Sequence, residues 1–389
     1  MMPLNPVYLD YAATTPMDPR IQQIVLEAWS SGYGNPSSLH WFGQRAESVL
    51  ESARETVAAC LGALPEEIYF TSGGTESDNL ALRGVARARL TQTGVRHILI
   101  SSVEHSAVLH TAQQMAALEG FDLELLPVDE FGRVDPVNVM ARLRPSTALV
   151  SIMYANNEIG SINRISEIGK ICQDAGVPFH TDAVQAAAYL PINVQSDHLD
   201  LLSLGSHKLY GPKSGGVLYV RKGTPIQAVQ TGGRQERGLR AGTQDIASIL
   251  GMAEALRLLK SEMDTHNAHF VKLRDLLIFN ILMNCPNPQL TGHPQERLPN
   301  HASFVFKDVD GNTLLALLDA AGFACSSGSA CRSGSARPSE ILLALDLPPE
   351  WALGSLRVTV GRYTSQEDLD SFLSILPVKT EQARRGVSR

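Results

Sequence analysis

The sequence predicts an α/β protein built on a large, mostly parallel sheet, with a second, smaller α/β lobe. Three observations predict it. Short apolar runs alternate with amphipathic stretches through the first two thirds of the chain, a rhythm that changes near residue 260. The length of 389 residues exceeds what one compact core supports, and the 44% hydrophobic content is ample to bury two.

The apolar runs at 67–71, 97–101, 123–128, 148–154, 177–181, 199–203 and 217–220 read as strands, and the patterns at 76–91, 105–118 and 165–175 as helices. Such a β-α-β-α order favours parallel strands with helices on both faces of the sheet. Ligands of open sheets of this kind bind at the carboxyl ends of the strands. Beyond the change in rhythm, 253–263 reads as one long helix, 283–301 as looser chain, 302–306 as a strand and 311–321 as a helix. The expected division is a large domain over 16–261 and a small domain formed by 1–15 and 262–389. SSGSACRSGSARPS at 326–339 is rich in Gly, Ser and Ala, the composition expected of a mobile loop.

Thirty-three basic against forty acidic residues give a formal charge of -7, with no basic block to neutralise phosphates or an anionic membrane surface. This argues against nucleic acid and membranes as partners. The start MMPLNPVYLDYAATTP lacks a basic segment followed by an apolar one, and no stretch is long and apolar enough to span a bilayer. A cytoplasmic location is the expectation. The five cysteines, Cys60, Cys172, Cys285, Cys325 and Cys331, are odd in number, scattered and without zinc-type spacing, so neither a disulfide scaffold nor a metal site is expected.

Chemistry-bearing residues fall just beyond the candidate strands. YFTSGGTESDNLALRGVA runs from a strand through Gly73 and Gly74 into a helix, so backbone N–H groups at Thr75 and Glu76 can receive a phosphate. The same stretch also reads as a tight turn capped by Thr75 or Ser77. PFHTDAVQ places Asp182 at one strand end, and LLSLGSHKLYGPK places Ser206, His207 and Lys208 at another. A carboxylate there can keep a pyridine nitrogen protonated, and a lysine one strand away can form an imine with an aldehyde. Taken singly, Asp182 reads equally as a helix cap and Lys208 as a solvated loop charge.

The segments YLDYAATTP, YGNPSSLH, FTSGGTESDN, SSVEHSAVL, ANNEIG, HTDAVQ, SHKLYGPK, RAGTQD, SSGSAC and LRVTVGRYT occur in one order along nearly the whole chain. In this the sequence resembles the cysteine desulfurases of the NifS and IscS type, class V aminotransferases with the fold of pyridoxal-phosphate-dependent transferases. The resemblance implies that Lys208 carries pyridoxal 5'-phosphate as a Schiff base, that Asp182 partners its ring nitrogen and Gln185 its ring hydroxyl. It implies His105 on the ring face, and Gly74, Thr75, Ser206 and His207 around the phosphate. Thr243 matches a threonine that reaches the phosphate from the neighbouring subunit of a homodimer. Asn157 and Arg357 match groups that hold the substrate carboxylate, and Cys331 matches the cysteine that takes the sulfur.

The implied reaction converts L-cysteine to L-alanine, leaves a persulfide on Cys331 and passes the sulfur to an acceptor protein such as an iron-sulfur scaffold, or to thiolation of cofactors or tRNA. A cysteine C–S lyase and a selenocysteine lyase are the alternatives on the same fold, and Cys331 argues against the first. Ser214, Arg332, Arg337 and Glu340 depart from the family pattern, mainly around the cysteine loop, and none replaces a catalytic group. Cys325, after the apolar run 320–324, is expected to close a strand as a small buried hydrophobe.

Overall fold

The structure, a computed structural model, describes residues 6–328 and 338–387. Cys331 and most of the expected mobile loop lie outside the described residues, as do Arg332 and Arg337.

Twelve strands are present among the described residues: β1 (Val7–Tyr8), β2 (Ile68–Thr71), β3 (His97–Ser101), β4 (Asp122–Leu126), β5 (Thr147–Ser151), β6 (Phe179–Asp182), β7 (Leu201–Gly205), β8 (Gly216–Val220), β9 (Pro288–Leu290), β10 (His301–Phe306), β11 (Phe323–Ala324) and β12 (Ser355–Thr359). Seven form one sheet in the order β2-β8-β7-β6-β5-β3-β4. β3, β4, β5, β6 and β7 are mutually parallel, whereas β8 runs against both its neighbours. Two reversals restore direction, so β2 points the same way as the parallel strands. The carboxyl ends of β2, β3, β5, β6 and β7 therefore open on one edge of the sheet.

The pleat explains why these runs are apolar throughout. Side chains alternate between faces, and both faces are covered: Ile98, Ile100, Leu149, Leu201 and Leu218 belong to one buried cluster, while Leu99, Val150, Leu202, Leu204 and Val217 belong to another. Helices supply the covers: α1 (Pro19–Ser31), α2 (Trp41–Leu61), α3 (Gly74–Thr93), α4 (Ser106–Glu119), α5 (Pro136–Arg142), α6 (Ile165–Asp174) and α7 (Ile246–Asn284). α3 and α4 pack on the first face, and α2, α6 and α7 on the second. The turn into α3 depends on glycine. A Cβ on Gly216 would lie 2.5 Å from the backbone of Gly73, and one on Gly74 would lie 2.6 Å from Val184 Cγ2.

Two smaller sheets stand apart from the large one, β12-β10-β9 antiparallel and β1-β11 parallel. The expected helix at 253–263 is only the middle of α7, which runs 39 residues. Its segment 261–269 has no buried residue, so the apolar stripe that marks a helix is interrupted there although the backbone ladder is not. The segment read as loose chain holds the end of α7 and β9.

The loop before α7, which carries RAGTQD, is pinned by a buried ion pair. Glu236 is 3% exposed and accepts Arg54 Nη1 at 2.8 Å, Phe70 N at 2.9 Å and Gln244 Nε2 at 3.1 Å. Removing one member of a buried pair strands the other charge. Glu236→Ala is expected to lower the free energy of urea unfolding by about 3–5 kcal/mol, and Glu236→Gln, which keeps the side chain's volume and one of its two acceptor oxygens, by less; equal unfolding midpoints for Glu236→Ala and the parent would contradict the pairing.

Candidate active site

Eight of the residues singled out in the sequence, Gly74, Thr75, His105, Asn157, Asp182, Gln185, His207 and Lys208, line one cavity at the carboxyl edge of the large sheet. They come from five different strand ends, brought together by the direction of β2, β3, β5, β6 and β7. Ser206 adjoins them on the turn that follows β7.

Lys208 sits on that turn, and its Nζ donates to the carbonyls of Ala12 at 2.5 Å and Ala13 at 2.6 Å. Burial pushes the amine down to about 8, helped by the Arg357 charge and opposed by Asp10 and Asp182. Gln185 Nε2 donates to the same Ala12 carbonyl at 2.8 Å. The N-terminal segment is thus one wall of the site, fastened by Thr15, whose N and Oγ1 both donate to His207 O at 2.9 Å.

Asp182 ends β6, is 5% exposed and accepts Val184 N at 2.9 Å. Burial raises its carboxyl, while His105, that backbone N–H and Lys208 pull it back. His105 caps α4, its Nδ1 accepting Ala107 N at 3.1 Å, which leaves Nε2 as the protonated nitrogen of the neutral ring. The same histidine that caps α4 thus also lines the cavity. At α3 the N-cap is Gly73 without a side-chain cap, Thr75 is exposed, and Ser206 Oγ is buried without a partner among the described residues. His207, pushed down to about 4 by burial, meets Thr14 Oγ1 at 3.2 Å through Nδ1.

Two sequence-predicted residues stand elsewhere. Arg357 lies behind Asn157: its Nη1 donates to Asn157 O at 2.9 Å and its Nη2 pairs with Asp10 at 2.8 Å. Thr243 is exposed on the loop before α7, outside the cavity. Cys331 is not described, but a second cavity of about 650 Å³ shares His105 and Asn157 with the first and reaches Gly328 and Ser339 on the two flanks of the segment that carries it. Cys325 follows β11, and burial raises its thiol. Sequence reasoning gave no role to Asp10, to the carbonyls of Ala12 and Ala13, or to two buried carboxyls, Asp78 and Glu104. Backbone carbonyls leave no side-chain signature. The only signal for Asp78 is a charge on the core-facing stripe of α3.

A lysine and a buried aspartate at neighbouring strand ends, beside a glycine turn into a helix, define an α/β enzyme site of the aminotransferase kind. The comparisons agree. The aminotransferase class-V family profile matches residues 7–372. The cysteine desulfurase IscS of Dictyoglomus turgidum (strain DSM 6724 / Z-1310) is 45% identical over 97% of this chain and 95% of its own length. The cysteine desulfurase NifS of Azotobacter vinelandii is 42% identical over 97% and 93%. A solved structure of a NifS-like protein superposes with a TM-score of 0.89 at 34% identity, covering 96% of this chain and 98% of that one. The chain belongs to the aminotransferase class-V family and, within it, to the cysteine desulfurases of the IscS and NifS type.

The lowered amine gives a test of the site. In cofactor-free protein, acylation of Lys208 by an amine-selective reagent should rise with pH through a midpoint near 8, against about 10.4 for an ordinary lysine. Arg357→Gln should move the midpoint upward, since a neighbouring positive charge is removed. Peptide mapping across the pH range reads both. A midpoint at the ordinary value would refute the burial argument.

Proposed function

We propose that this cavity binds pyridoxal 5'-phosphate on Lys208 and uses it to desulfurate L-cysteine, with the sulfur received by Cys331. The observation that carries the reading is the meeting of the Lys208 amine, lowered toward neutrality, with buried Asp182 in one cavity at the sheet edge. The residues fit the cofactor. Ser206 Oγ, buried without a partner among the described residues, and the N-terminal turn of α3 supply donors suited to a phosphate. Asp182 suits a pyridinium nitrogen, Gln185 the ring hydroxyl and the His105 imidazole the ring face. When bound, the cofactor supplies the electron sink that makes bonds at the substrate's Cα and Cβ breakable.

The chain's own groups do the rest. Arg357 and Asn157 orient the substrate carboxylate, Asn157 from the cavity wall by donating from its side-chain NH2. Lys208, whose lowered pKa leaves a fraction of free amine at neutral pH, moves the proton at Cα. The Cys331 thiolate attacks the substrate sulfur: an S–S bond forms, the C–S bond breaks, and L-cysteine plus one enzyme thiol become L-alanine plus one enzyme persulfide. The second cavity, bounded by residues on both flanks of the cysteine segment, offers room for that approach.

The physiological unit is a homodimer. Thr243, exposed on its pinned loop, completes the phosphate site of the partner, and Trp29, Tyr33, Leu39 and Trp41, all more than half exposed, form an apolar surface on α1, α2 and the chain between them. The large domain comprises 16–261, which holds the whole seven-stranded sheet; the small domain comprises 1–15 and 262–389, which hold the other two sheets. Among the described residues no helix is long and apolar enough to cross a membrane. We place the enzyme in the cytoplasm, donating sulfur to an acceptor protein such as an iron-sulfur scaffold.

Incubation with L-cysteine, with alanine, sulfide and protein-bound persulfide measured together, tests the function. Lys208→Ala should lower alanine formation by at least about 10³-fold. Cys331→Ser should bind L-cysteine yet accumulate no persulfide. Extra sulfur mapped to Cys325 instead of Cys331 would sink the assignment. Thr243→Ala should weaken cofactor retention on gel filtration while leaving a dimer; a fully active monomer would rule out the shared site.

A further inference from the structure

Asp78 is a carboxyl in a place where α3 ought to be apolar. It lies on the stripe that continues to Leu82 and Ala86, where the helix packs on β5, β6, β7 and β8, and it is 1% exposed. Ser203 on β7 hydrogen-bonds its side chain. The residue lines the site cavity, and its Oδ1 has no hydrogen-bond partner among the described residues and stands 3.6 Å from His180 Nε2. That imidazole offers no charge. Its Nδ1 meets Ser151 Oγ at 2.8 Å, its Nε2 meets Ser203 Oγ at 2.9 Å, and complete burial pushes it down to about 3.

The nearest charged groups make ionisation of Asp78 harder still. An oxygen of Asp78, an oxygen of Asp182 and a ring nitrogen of His105 lie within 4.8 Å of one another. Glu104, fully buried, accepts Ser101 Oγ at 2.7 Å and Met153 N at 2.8 Å, and burial raises it to about 8. Two carboxylates this close in a medium of low dielectric cannot both keep a charge. Asp182 has His105, Lys208 and the Val184 N–H to favour its anion. Asp78 has a Ser203 hydrogen bond in favour of its anion, against complete burial, neutral His180 and the negative charge of Asp182.

We propose that Asp78 is a positioning residue that stands beside Asp182 as a neutral carboxylic acid, so that one negative charge, on Asp182 alone, meets the pyridine nitrogen of the cofactor. The inference rests on the reading of this cavity as the pyridoxal phosphate site. Were Asp78 ionised, the next proton would be shared with Asp182, and the pairing with the ring would weaken. A proton fixed on Asp78 prevents this without adding a cation to the site.

The test compares Asp78→Asn and Asp78→Ala with the parent holoenzyme. The infrared difference between parent and Asp78→Asn at neutral pH should show the loss of a protonated-carboxyl C=O band. In Asp78→Ala, the pH midpoint of the cofactor's visible absorbance should shift by about one unit. Asn, an isostere of the neutral acid, should restore it. A carboxylate band lost in Asp78→Asn would overturn the proposal, and so would an unshifted midpoint in Asp78→Ala or a midpoint in Asp78→Asn displaced as far as in Asp182→Asn. The infrared readout reports the proton on Asp78 whatever the cavity binds. A purified parent that takes up no pyridoxal phosphate would defeat the cofactor reading instead, and the two failures are separable.

Discussion

The amine of Lys208 must be kept in place yet remain able to give up a proton, and two backbone carbonyls meet both demands. Ala12 O and Ala13 O accept from it without carrying a formal charge, so they orient the amine while burial lowers its affinity for the proton. A carboxylate in the same place would orient the amine and lock it as a cation. The price is that residues 9–18, far away in sequence, must be held against the turn after β7. Thr15 bonds to His207 O, Asp18 N to Tyr210 O, and Ala12 N to Thr359 Oγ1. Arg362 closes the arrangement, pairing with Asp18 and lying 4.7 Å over the Tyr210 ring.

The same wall links the lysine end of the site to the end lined by Asn157. Asp10, two residues before Ala12, pairs with Arg357 and accepts Ser326 Oγ at 2.6 Å, while Arg357 also holds the Asn157 carbonyl. His301 Nε2 meets that carbonyl at 3.1 Å from the adjacent strand of the small sheet. The small sheet, the N-terminal segment and the loop after β5 are therefore connected through one buried guanidinium, and Ser326 is tied to Asp10 by its side chain and to Arg357 by its backbone. Such sites hold more buried charge than stability alone would favour, and here the excess lies where the proposed chemistry needs it.

Much of this was legible in the sequence, for physical reasons that differ by element. Strands buried on both faces read as continuous apolar runs, so all seven strands of the large sheet were foreseen to within a few residues. Side chains placed just after those runs were foreseen as site residues because strand direction alone brings them together. Helix α7 was foreshortened because its stretch 261–269 has no buried residue and so breaks the apolar stripe. The cradle of Ala12 and Ala13 was illegible because a carbonyl is common to every residue. Asp10 and Asp78 lie inside segments that carried the family resemblance, yet their neighbours across the fold, Arg357 and Asp182, are hundreds of residues and about a hundred residues away in sequence, and pairings at such separations are a property of the tertiary structure.

The central claim is that Lys208, and no other amine, carries the cofactor. Lys213 lies five residues further on in the same SHKLYGPK segment and is the natural competitor. Reduction of the purified holoenzyme with sodium borohydride followed by peptide mass mapping decides between them. The account predicts a pyridoxyl adduct on Lys208 alone, and an adduct on Lys213, or on no lysine, would contradict it.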